Sequence, residues 1–158
     1  MRFKASRRFR NAALVAVLLS FACSKNDPGH TASDAAGESH ARDVRSAADN
    51  SPSQNKDLAR DMIRKSYANW NNSAQIQCLD RLWTKESRWD HRAVNKRTGA
   101  CGIPQSYPCD KMKKMGDRYG VSHRRNPWPQ IAWGLQYIDT RYGTPCNAWK
   151  RFQRGGGY

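Results

Sequence analysis

At 158 residues the chain has room for one ordinary domain plus flanking segments, and a formal net charge of +15 points to polyanionic partners. No nucleotide-binding glycine fingerprint, phosphate loop or Ser-His-Asp arrangement occurs, and His30, His40, His91 and His123 are too scattered to suggest a metal centre. No cofactor and no metal are therefore expected.

The first ten residues carry Arg2, Lys4, Arg7, Arg8 and Arg10, and an apolar run follows from Asn11 to Ala22. A basic flank, a short apolar core and small residues at Ser20-Phe21-Ala22 predict a secretory signal peptide over 1–22. That core is too short for a permanent membrane anchor. Cys23 then stands alone directly after the expected cleavage point, where it resembles the lipidated cysteine of bacterial lipoproteins, although Ser20 occupies the usual leucine position. Plain secretion and lipid anchoring at Cys23 both remain open, and Cys23 is the only route to a membrane that the sequence offers.

Residues 23–56 are rich in Ser, Asp, Ala, Gly, Asn and Pro, and no aromatic residue occurs between Phe21 and Tyr67. Such a composition offers little apolar surface to offset ordering entropy, which predicts a disordered linker ahead of a domain at 57–158. All six tryptophans fall between Trp70 and Trp149, so the core is expected there. Residues 70–158 hold sixteen basic and six acidic side chains, a net of about +10. Nucleic acid is not the expected partner, because an exported protein meets anionic cell wall first. No feature suggests anything other than a monomer.

Leu58, Met62, Ile63 and Tyr67 recur at helical spacing and predict a lead-in helix over Asp57–Trp70. Ile76, Leu79, Leu82 and Trp83 do the same for Ser73–Trp89. With roughly 100° of turn per residue, Leu79, Leu82 and Trp83 lie within about 60° of Glu86, so the carboxyl sits inside the apolar stripe. Desolvation there disfavours the charged form and raises the pKa, which suits a general acid at neutral pH. A polar, turn-rich stretch follows over Ser87–Ala100, and then the proline-constrained segment Cys101–Cys109. Further helices are predicted at Lys111–Gly120, at Gln130–Tyr142 with Asn126-Pro127-Trp128-Pro129 leading in, and at Asn147–Gln153. No sustained period-two alternation occurs, so the domain is expected to be mainly α.

Glu86-Ser87, Ala93-Val94-Asn95 and Thr98-Gly99-Ala100-Cys101-Gly102-Ile103-Pro104-Gln105 together resemble the signature of lytic transglycosylase SLT domains, a branch of the lysozyme-like fold. Gln130-Ile131-Ala132-Trp133-Gly134-Leu135-Gln136-Tyr137-Ile138 is similar to a later helix of that family. The resemblance covers about residues 70–155. It implies several short helices with long loops, Glu86 as catalytic acid, and Asn95, Gln105 and Tyr137 lining a glycan groove. The implied substrate is the peptidoglycan glycan strand, cut at the β-1,4 bond between N-acetylmuramic acid and N-acetylglucosamine, with 1,6-anhydro ends as product. Ile103-Pro104 stands where the family has Leu-Met, and Asn147-Ala148-Trp149 is the nearest match to its C-terminal Ala-Tyr-Asn. The Gly-Ile-Pro-Gln and Tyr-Gly-x-Pro-Cys variants are most similar to those of secreted wall enzymes of actinobacteria.

Other roles compete for the same residues. Asn95 could simply form a turn, Tyr137 could be a core residue with a satisfied hydroxyl, and Gln105 could cap a helix end. A hydrolytic muramidase would call for a second carboxylate, with Asp90 and Asp110 as candidates. A basic wall-binding module without catalysis is the alternative outside the enzyme class. Cys78, Cys101, Cys109 and Cys146 predict two disulfides in an exported domain. Of three possible pairings, the expected one joins Cys101 to Cys109 around Gln105 and Cys78 to Cys146 between helices.

Overall fold

The computed structural model describes residues 32–155 and 157. Six α-helices follow in order: α1 Ala32–Ser46, α2 Pro52–Ser66, α3 Ser73–Ser87, α4 Lys113–Arg118, α5 Pro127–Tyr142 and α6 Pro145–Gln153. Among the described residues the only β pairing is two isolated antiparallel bridges, Val94 with Cys101 and Cys101 with Ser106. The mainly α expectation is met. No helix among the described residues is long and apolar enough to cross a membrane. The signal peptide over 1–22 and Cys23 lie outside the described residues.

The expected linker over 23–56 needs correction from Ala32 onward. α1 is followed by a 3-10 turn at Ala47–Asp49, and Val44 and Ala47 are buried. Asn126 Nδ2 donates to the Val44 carbonyl at 2.6 Å, and the ring of His40 meets Tyr119 and Trp128 edge-on. His91 Nε2 and Arg92 Nη2 both reach the Ala48 carbonyl, at 3.0 and 2.8 Å. A local composition count misses these anchors because their partners come from residues 43 or more positions away. α2 also starts five residues before the predicted Asp57. Pro52 takes the first helical position, and Ser51 and Gln54 form a reciprocal capping box.

α3 begins at Asn72, whose side chain accepts from the Gln75 amide at 3.1 Å. It ends at Ser87 rather than at the predicted Trp89, because Arg88 and Trp89 both adopt left-handed backbone conformations, with φ of 55° and 64°. That reversal folds Trp89 back under α3. Its ring sits edge-on to Trp83 at 5.0 Å, and its Nε1 donates to Asp80 Oδ1 at 2.9 Å. Leu79, Leu82 and Trp83 of α3 and Ile131, Leu135 and Ile138 of α5 are fully buried and share one core. Gly134 permits this closeness: a Cβ there would lie 2.7 Å from Trp83 Cζ2 and 3.2 Å from Pro104 Cβ. α5 stops at Gly143, and Thr144 caps α6 through a bond from the Asn147 amide at 3.2 Å.

Both expected cysteine pairs are within bonding distance. Cys78 and Cys146 join the first half of α3 to the start of α6 with Cα atoms 4.9 Å apart, and Cys101 and Cys109 close the proline-rich loop at 5.5 Å.

Candidate active site

Glu86 occupies the last turn of α3, half-buried beside Leu82 and Trp83. Burial alone raises its pKa, to about 7, with no charged neighbour contributing. The basic side chains nearby in sequence, Lys85, Arg88 and Arg92, do not pair with it.

The residue after it performs a structural task. Ser87 Oγ donates to the Ile103 carbonyl at 2.9 Å and so ties the end of α3 to the loop between the linked cysteines. That loop turns at Gln105, whose φ is 49°. Gln105 Nε2 donates to the Gly102 carbonyl at 2.9 Å, and among the described residues no bond engages its Oε1. Asn95 forms an Asx turn, its Oδ1 accepting from the amides of Arg97 at 3.0 Å and Thr98 at 3.2 Å. The turn role is therefore real, and among the described residues no bond engages the Nδ2 donors.

Glu86, Asn95 and Gln105 come together in a single open cleft of about 340 Å³, lined also by Thr84, Ser87 and Ala93. Glu86 is the only carboxylate among the lining residues. Tyr137 does not line this cleft. It lies one turn beyond Gly134 on α5, stacked on Trp133 at 5.1 Å, with a hydroxyl hydrogen-bonded to that of Tyr142. Asp90 and Asp110 are absent from the cleft as well. Asp90 Oδ1 accepts from the Arg92 amide at 2.8 Å, and Asp110 is held by Arg124 and His123.

A model of the transglycosylase SLT domain matches residues 61–153, more than half of the chain. The chain belongs to the transglycosylase SLT domain family. The family is that of peptidoglycan-cleaving glycosidases of the lytic transglycosylase type, with the lysozyme-like fold. No curated protein and no solved structure matches the chain. The SLT match begins within α2, so α1 and the capped start of α2 precede it.

The SLT domain depends on one residue whose role the sequence reading overlooked. Gln130 is fully buried, and its Oε1 accepts from the Ile103 amide at 2.9 Å. Its Nε2 donates to the carbonyls of His91 and His123, each at 2.9 Å. Gly102 makes room for the amide, because a Cβ there, at φ 73°, would collide with it. Local periodicity gave no signal for it, because Gln130 lies about 100° or more around the helix from Ile131 and Leu135. Gln130→Leu leaves one buried N–H and two carbonyls without their partner, and is expected to destabilise the domain by about 3 kcal/mol. Urea unfolding measures this, and a loss below about 1 kcal/mol would show that the three groups find other partners.

Proposed function

We propose that this SLT domain cleaves the β-1,4 bond between N-acetylmuramic acid and N-acetylglucosamine in peptidoglycan, with Glu86 as its single acid and base. The supporting observation is a carboxyl raised to about 7 by burial that is also the only carboxylate lining the cleft. Protonated Glu86 donates its proton to the glycosidic oxygen as the C1–O bond breaks through an oxocarbenium-like state. The resulting carboxylate then takes the proton of the sugar's own 6-hydroxyl while that oxygen bonds to C1. The product carries a 1,6-anhydro end, and Glu86 is returned protonated. Asn95 Nδ2 and Gln105 Oε1 hold the sugar at the bond. The stacked faces of Trp133 and Tyr137 support the glycan farther along.

Hydrolysis is the second reading, and the positions of Asp90 and Asp110 outside the cleft weigh against it. Mass spectrometry of a wall digest separates the two, since an anhydro end is lighter than a hydrolysed one by about 18 Da, the mass of water. Reducing ends alone would leave a muramidase, and no cleavage at all would leave a wall-binding module.

A pH dependence follows from Glu86. The acid must be protonated to act, and with a pKa of about 7 the active form is present below that pH and lost as pH rises through it. The profile of kcat/KM should fall tenfold per unit above about pH 7. A plateau extending to pH 9 would exclude Glu86 as the acid.

Export is part of this proposal, with the basic and apolar stretch over 1–22 as signal and Cys23 as the first mature residue. The intact mass of the mature chain reads both points: cleavage before Cys23 supports export, and added acyl mass supports anchoring.

A further inference from the structure

We propose that Arg92, Arg124 and Arg125 form an accessory anion site that takes the carboxylates of the peptide stems carried by the glycan strand. The inference rests on the peptidoglycan reading above and names a further part of the substrate.

The three guanidinium groups surround a second cleft of about 550 Å³, lined also by Ala48 and Asp49. Two of them are held in place. Arg92 donates one N–H to the Ala48 carbonyl at 2.8 Å, and Arg124 donates one to Asp110 Oδ1 at 2.8 Å. A guanidinium carries five N–H donors, so most of theirs remain for a ligand. Among the described residues no hydrogen bond or ion pair engages the Arg125 side chain. Two carboxylates bear on the arginines: Asp110 pairs with Arg124 at 2.8 Å, and Asp49, almost wholly exposed, lies 3.7 Å from Arg92, which leaves the cleft net positive.

The convergence of these arginines is built into the fold. The carbonyls immediately before Arg92 and Arg124, those of His91 and His123, are the two that Gln130 Nε2 holds. One buried amide thus sets both walls of the basic cleft, and through Ile103 it also sets the loop carrying Gln105. The linings of the two clefts meet in the chain at the Arg92–Ala93 peptide, Arg92 belonging to the basic cleft and Ala93 to the Glu86 cleft. In this proposal a stem peptide on a glycan lying over Glu86 runs past that peptide bond to the arginines. In peptidoglycan those stem peptides end in carboxylates, groups that a planar guanidinium binds in pairs of parallel hydrogen bonds.

The test compares peptide-bearing glycan strands with strands stripped of their peptides, using the full chain and the Arg124→Ala/Arg125→Ala variant. Arg92 is left intact because it also tethers Ala48. On peptide-bearing strands the variant should show KM raised about fivefold to tenfold with kcat unchanged, and added salt should shrink the difference. On stripped strands the two proteins should be equal, and lysine at both positions should restore part of the loss. A parallel titration uses the free tetrapeptide stem, with its carboxylates either free or amidated. Binding of the free form that weakens in the variant, with none of the amidated form, supports the site. Equal loss on both strand types, or equal binding of both peptide forms, overturns it. So does competition by a phosphate-bearing wall polymer with none by the peptide. If wild-type protein cuts neither strand while the titration still depends on the arginines, the cleavage reading fails and the anion site stands.

Discussion

Glu86→Gln is expected to abolish wall cleavage and, at pH 8, to make the protein more stable than wild type. The amide keeps the shape and hydrogen-bonding reach of the carboxyl but has no transferable proton. General acid–base participation is worth about 10²–10⁴ in rate, and a group that serves both steps should reach the upper end. The stability gain follows from the same burial. In the unfolded chain the carboxyl ionises near its ordinary value of 4.5, whereas in the fold it holds its proton to about 7. Above 4.5 the unfolded state is thus favoured by ionisation, and native stability falls as pH rises through this window. The full interval corresponds to about 3 kcal/mol, but the group is partly open to water, so a cost of about 1–2 kcal/mol is expected. Glutamine does not ionise and escapes it. Melting temperatures of the two proteins should coincide at pH 4 and separate at pH 8, with the variant higher. Undiminished cleavage by the variant would remove Glu86 from the mechanism. Lost cleavage without any separation at pH 8 would keep its role but deny the desolvation.

The Cys78→Ser/Cys146→Ser variant should lose about 4 kcal/mol, a large share of the 5–15 kcal/mol typical of a whole domain. The two cysteines are 68 residues apart in sequence, so their bond removes much freedom from the unfolded chain. In the fold it joins α3, which carries Glu86, to α6, the last helix. Removing the Cys101–Cys109 link, which spans only 8 residues, should cost about 2–3 kcal/mol in stability. Its larger effect should be on cleavage, because it holds the loop that presents Gln105. Urea unfolding of the oxidised proteins compares the two. An unchanged midpoint for the Cys78/Cys146 variant would mean that the bond does not form.

Glu86 was legible from local sequence because its surroundings are local. Leu79, Leu82 and Trp83 lie one or two helical turns away on the same face, and periodicity alone sets the carboxyl among them. The prolines and paired cysteines around Gln105 likewise announce a constrained loop within nine residues. Long-range partners were not legible. The residues that hold Val44 and Ala48 come from 91, 92 and 126, so the N-terminal segment read as a linker although it is helical from Ala32. The end of α3 was misplaced because apolar periodicity runs through Trp89, while two non-glycine residues in left-handed conformations reverse the chain before it. The resemblance implied Tyr137 in a glycan groove, and motif order alone does not say which stretch of such a groove α5 would line. Gly134 faces Trp83, and Tyr137, one turn on, stacks on Trp133 four residues before it and meets Tyr142 edge-on, outside the lining of the Glu86 cleft.

The three bonds made by Gln130 also bear on how readily the loop beside the cleft opens. Catalytic loops in many proteins open on their own, at free energies well below that of global unfolding. Here the loop carrying Gln105 is fastened through the Ile103 amide to Gln130, a fully buried side chain of α5. Releasing the loop means exposing that amide and breaking into the core. Local release of the loop therefore carries an added cost, a part of the about 3 kcal/mol assigned to the Gln130 bonds, and the Ile103 amide should exchange its hydrogen more slowly than the exposed amides around the cleft.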